Sequence, residues 1–75
     1  MPLPADESPT RVIRALERDG WTRDRQTGGH AILTRAGRRP ISVPMHKVVK
    51  RGLLRAIIKQ AGLTVDRFAE LLERR

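Results

Sequence analysis

The sequence predicts a small α+β domain: a three-stranded antiparallel sheet with helices on one face, in the order α-β-β-β-α-α. Three observations predict it. A proline-led segment near the start carries apolar residues at helical spacing. The middle of the chain breaks into short strand-like runs punctuated by Gly-Gly, Ala-Gly and proline. The last third holds two further helical stripes separated by a glycine.

Each element has a local reason. Residues 1–7 contain two prolines and two acids without pattern, which reads as a flexible lead-in, leaving 8–75 as one domain. Ser8 is placed to cap a helix whose first position is Pro9, and Val12, Ile13 and Leu16 form its narrow apolar stripe. Gly20 can take the left-handed position that ends it, with Trp21 folding back onto the last turn as a core anchor. Residues 21–25 then read as a first strand, 26–29 as a glycine-containing turn and 30–35 as a second strand. Ala36-Gly37 reads as a tight hairpin, and 39–43 as a third strand closed by Pro44. Pro40 cannot donate to a ladder, so that strand belongs at an edge or starts short. Residues 47–51 form a basic connector. Residues 52–61 make the strongest helix, with Leu53, Leu54, Ile57, Ile58 and Ala61 expected on the core side and Arg55 and Lys59 on another face. Gly62 ends that helix, and Thr64 caps a last one whose Phe68, Leu71 and Leu72 face inward.

The charge is distributed unevenly. Residues 25–65 contain no aspartate or glutamate but hold nine Lys/Arg and both histidines, whereas acids and bases nearly balance elsewhere. The formal charge of +8 thus sits in the middle of a 75-residue chain. Such a block suits a polyanion, most simply nucleic acid, although charge runs are often only solvated faces. Trp21 and Phe68 are the only aromatic residues, too few for a base-stacking platform. The absence of cysteine excludes disulfides, thiolate nucleophiles and zinc–thiolate sites. With no long apolar run and no signal-peptide core, a cytoplasmic protein without membrane contact is the expectation. A chain this short buries only a little over ~60% of its unfolded surface, so assembly is one way to supplement its core.

Two residues can move protons. His30 follows Gly28-Gly29 at a strand start, where glycines leave an imidazole uncrowded and let a phosphate approach the backbone. An imidazole can accept or donate a proton near neutral pH, which suits abstraction of an RNA 2′-hydroxyl proton. Lys and Arg would stabilise the charge developing on the phosphate. Taken by itself, one histidine after two glycines is a weak signal and reads more readily as a residue that merely starts a strand or binds phosphate passively. His46, in Pro44-Met45-His46-Lys47, is a candidate second acid/base or phosphate contact, or simply a loop residue. Two histidines without neighbouring Asp, Glu or Cys give too few ligands for a metal, so no metal and no cofactor is expected. Residues 57–69 also mimic a helix-turn-helix, but Asp66, Glu70 and Glu73 would face phosphates unfavourably.

An ordered set of short motifs runs from residue 20 to residue 64, in a likeness that extends from about residue 9 to residue 72: Gly20-Trp21; Gly28-Gly29-His30-Ala31-Ile32-Leu33; Val43-Pro44-Met45-His46-Lys47; Gly52-Leu53-Leu54-Arg55-Ala56-Ile57; Gln60-Ala61-Gly62-Leu63-Thr64. In this order and spacing it resembles the HicA toxins of bacterial toxin–antitoxin modules. The resemblance implies a fold similar to double-stranded-RNA-binding domains (dsRBD-like, α-β-β-β-α with a short extra C-terminal helix). It also implies cleavage of mRNA without a ribosome and neutralisation by a HicB antitoxin. The family's catalytic histidine follows a Gly-Ser or Gly-Gly pair, which maps onto His30. Gly29 stands where many members have serine, so no hydroxyl is available there. Leu53 follows Gly52 where many have threonine, removing a side-chain cap.

The reading is therefore a metal-independent endoribonuclease toxin with His30 as general base or acid. Its candidate RNA-binding residues are Gly28, Gly29, Arg35, Arg38, Arg39, Lys47, Lys50, Arg51, Arg55 and Lys59. Expected partners are mRNA and a HicB-like antitoxin, with a homodimer or a toxin–antitoxin hetero-oligomer as the assembly. The rivals are a non-catalytic RNA- or DNA-binding module using the same basic face and, more distantly, a helix-turn-helix repressor.

Overall fold

A computed structural model of the chain describes residues 6–73. Its elements are β1 (Asp6–Glu7), α1 (Pro9–Asp19), β2 (Thr22–Thr27), β3 (His30–Thr34), β4 (Ile41–Pro44), β5 (Val49–Lys50), α2 (Arg51–Gln60) and α3 (Val65–Glu73). The architecture is the expected α+β one, with the α-β-β-β-α order of a dsRBD-like domain and a further C-terminal helix.

Helix α1 starts and stops as its sequence dictates. The Ser8 Oγ accepts the Arg11 N–H at 3.4 Å, Pro9 occupies the first turn, and Gly20 ends the helix with φ 111°. The Trp21 N–H then donates to the Leu16 carbonyl at 3.0 Å, folding the indole into the core at 3% exposure. Helix α3 is capped by the Thr64 hydroxyl, which accepts from the Arg67 N–H at 3.1 Å. Its carbonyl end is met by two arginines of α1: Arg11 donates to the Leu72 carbonyl at 3.3 Å and Arg18 to that of Leu71. Cations at a helix C-terminus satisfy orphan carbonyls and oppose the helix dipole, which ties α1 to α3.

Strands β2, β3 and β4 form one antiparallel sheet in that order. Alternation on β3 and β4 sends Ala31, Leu33, Ile41 and Val43 to one fully buried face, against the helices. Leu16, Leu54, Ile57, Phe68 and Leu71 complete the core from the helical side. Each of these large side chains contributes about 1.5–3 kcal/mol through burial. The opposite face bears no helix, and by register its rows are Thr27–His30–Pro44 and Arg25–Ile32–Ser42. Edge strand β2 is exposed throughout, and its pairing slips between Arg23 and Arg25, a bulge that blunts it as a template for further strands.

Several boundaries differ from expectation. Residues 1–5 of the expected lead-in lie outside the described residues. Asp6–Glu7 forms strand β1, paired with Val49–Lys50 inside what reads as a basic connector. The pairing is sealed by Glu7, only 7% exposed, whose carboxylate accepts the Ser8 N–H at 2.9 Å and two bonds from Arg11 at 3.2 Å. Strand β2 runs to Thr27, so the first turn is only Gly28-Gly29, with Gly28 at φ 57°. Ala36-Gly37 makes the tight turn expected of it, the Arg38 N–H donating to the Arg35 carbonyl at 3.1 Å with Gly37 at φ 79°, but β4 begins only at Ile41, after Pro40, which has no N–H for the ladder. Leu53 is 41% exposed instead of core-facing: it stands at the edge of the stripe made by Leu54, Ile57, Ile58 and Ala61.

Candidate functional site

The Gly28-Gly29 turn presents His30 as the first residue of β3, exposed on the helix-free face of the sheet. Its cross-strand partner is Pro44, the last residue of β4. Beyond Pro44 the backbone bends back: the Met45 N–H donates to the Gly29 carbonyl at 2.7 Å, extending the pairing past the formal strand ends. This path lays the next residue, His46, directly over Gly29. A Cβ added to Gly29 would lie 2.9 Å from the His46 Nε2 and closer still to Cδ2. Gly29 has no positive φ, so what glycine supplies there is room for the ring rather than a backbone conformation.

The result is a shallow cleft of about 310 Å³ lined by Gly29, His30, Pro44, His46 and Lys47. Two imidazoles and one ammonium thus border one opening. Among the described residues no carboxylate lies within ion-pair reach of Lys47, so its charge is available to a ligand. It brings together groups able to give and take protons, a nearby cation and a glycine backbone that admits close approach. By cross-strand register Arg25 stands one row further along the same face, beside Ile32.

The other cations do not converge on this cleft, and several have structural partners. Arg35 donates to the Asp19 carbonyl at 2.7 Å and to its carboxylate at 3.0 Å, capping the end of α1. Arg38 leans over Gly62, with a guanidinium nitrogen 3.5 Å from the Gln60 carbonyl oxygen, at the end of α2. Lys50 pairs with Asp6 at 3.6 Å across the short ribbon. Arg38 and Arg39 line a second cleft with Gly37, Pro40 and Gln60, and Arg55 and Lys59 a third with Ile58, Leu63, Thr64 and Val65. Arg51 is exposed at the start of α2. The acid-free block is thus spread over several surfaces, and of its Lys residues only Lys47 borders the His30 cleft.

No helix among the described residues is long and apolar enough to cross a membrane. No curated protein matches the chain. Residues 10–63 match the family model for the HicA toxin of bacterial toxin–antitoxin. That match takes in α1 beyond Pro9, the whole three-stranded sheet, the His30 cleft and α2. The chain belongs to the HicA toxin family and is, as its members are, the toxin of a toxin–antitoxin pair.

Proposed function

We propose that this protein is a metal-independent endoribonuclease, an mRNA interferase, acting in the cytoplasm with His30 as its general base. The observation that carries the reading is the place of His30: exposed at a strand start, beside a glycine backbone, in a cleft that also holds Lys47. An uncrowded imidazole can take the proton of an RNA 2′-hydroxyl while the ammonium offsets charge gathering on the phosphate. Arg25, Arg39, Arg51, Arg55 and Lys59 extend RNA contact away from the cleft. Arg35, Arg38 and Lys50 contribute less, since their charges are already engaged within the fold. The antitoxin of the pair is HicB-like and acts by covering His30 and the cations beside it, which blocks binding and chemistry together.

The test is His30→Ala. Loss of proton transfer typically lowers a rate by ~10²–10⁴-fold, while the exposed position of the side chain leaves the core intact. The expected variant is folded, binds RNA and does not cleave it. Cleavage by the unmodified protein persists in EDTA and is blocked by a 2′-deoxy substitution at the scissile nucleotide. Full cleavage by His30→Ala refutes the assignment. Tight RNA binding without any cleavage by the unmodified protein would leave a non-catalytic RNA-binding module.

A further inference from the structure

We infer that His46 is the second proton-transfer group of this cleft, the acid that protonates the leaving oxygen, and that Gly29 is the residue that seats it. The inference rests on the ribonuclease reading above and adds to it a residue and a division of labour.

Three features converge on His46. Its ring borders the same cleft as His30, on the helix-free face of the sheet. Its position is fixed by backbone, through the bond from Met45 to the Gly29 carbonyl and the pairing of His30 with Pro44. The contact with Gly29 is so close that any side chain there would have to displace the ring. With glycine there the ring can lie against the turn, where a Cβ would meet its Cδ2 and Nε2. A cleft with two imidazoles at different points of its rim also meets a requirement that His30 alone does not: one proton leaves the attacking oxygen while another reaches the departing one.

The step balances as follows. His30, neutral, takes the proton of the 2′-hydroxyl as the 2′-oxygen forms a bond to phosphorus. The bond from phosphorus to the 5′-oxygen breaks, and that oxygen receives a proton from the protonated His46 ring. The products are a 2′,3′-cyclic phosphate and a 5′-hydroxyl. His30 leaves the step charged and His46 neutral, and exchange with water restores both. Lys47, on the same rim, offsets the charge on the non-bridging oxygens.

The discriminating experiment compares two RNA substrates, one with an ordinary 5′-oxygen at the scissile bond and one with sulfur in its place. A thiolate departs without a proton, so it has no use for the acid. His46→Ala is expected to cut the oxygen substrate ~10²–10³-fold more slowly than the unmodified protein, yet to cut the sulfur substrate at close to the unmodified rate. His30→Ala stays slow on both. Gly29→Ala, which keeps both imidazoles but displaces one, is expected to behave like His46→Ala in milder form. Circular dichroism and thermal melts establish that each variant is folded.

Equal slowing of His46→Ala on both substrates makes His46 a phosphate contact and overturns the inference, as does full activity on both. Either result leaves the ribonuclease reading standing. If the unmodified protein cleaves neither substrate, that reading falls and the role of His46 falls with it.

Discussion

Replacing Glu7 by alanine is expected to destabilise the protein by about 2–3 kcal/mol, a large effect for a residue whose surroundings in the sequence look patternless. The carboxylate is 7% exposed and accepts the Ser8 N–H at 2.9 Å, together with two bonds from Arg11 at 3.2 Å. A hydrogen bond to a charged acceptor contributes about 1.5–3 kcal/mol, and truncation leaves the Ser8 N–H, at the entry to α1, without its partner. The pairing with Arg11 adds only about 0.3–0.5 kcal/mol, because the arginine is 52% exposed and water screens it. For a domain of this size the sum lowers the melting temperature by roughly 10–20 °C. The assay is urea and thermal unfolding of Glu7→Ala beside Glu7→Gln and, as an exposed control, Glu17→Ala. Glu7→Gln retains an oxygen for the Ser8 N–H and is expected to lose about 1 kcal/mol, while Glu17→Ala stays within about 0.5 kcal/mol. Should Glu7→Ala melt with the control, the segment before Ser8 is the loose lead-in that its composition suggests, and the β1–β5 pairing does not hold in solution.

Two other outcomes follow from where side chains sit. RNA affinity is expected to fall with log salt by roughly 0.7 per phosphate contact, with Lys47→Ala and Arg55→Ala each shallowing the slope by about that amount. Arg35→Ala leaves the slope unchanged, since its guanidinium is committed to Asp19; a slope that moves with Arg35 alone would relocate the RNA path. In α2, Leu54→Ala is expected to cost about 2–5 kcal/mol by emptying a fully buried site, whereas Leu53→Ala, 41% exposed, costs well under 1 kcal/mol; equal costs would return Leu53 to the core.

The helices and the three-stranded sheet were legible because each carries a strong local signal. Ser8-Pro9 and Gly20 bracket α1, Thr64 opens α3, and alternation marks Ala31, Leu33, Ile41 and Val43. Gly28-Gly29 alone marked His30 only weakly, and its candidacy as a catalytic residue came from the ordered motifs that resemble the HicA toxins. The β1–β5 ribbon was not legible, since two-residue strands have no period and their pairing joins segments far apart in sequence. The seat of His46 over Gly29 depends on the path of the backbone past Pro44, which residue spacing does not encode. Charge composition likewise reports that cations are present but not what claims them: Arg35 serves a helix end, Arg38 leans against another and Lys50 pairs with Asp6.

The ribbon of Asp6–Glu7 with Val49–Lys50 has a consequence for the order in which the molecule assembles. The sheet hairpins join neighbours and close short loops, whereas this pairing closes one of roughly forty residues, an entropic cost that local contacts do not bear. On a ribosome the amino-terminal strand emerges first and must wait unpaired until Val49 is made. Until then the 45–48 segment that carries His46 and Lys47 is held at its β4 end only. The rim that carries His46 and Lys47 is thus tied at one end by the Met45–Gly29 bond and at the other by a contact between the first described residues and the middle of the chain.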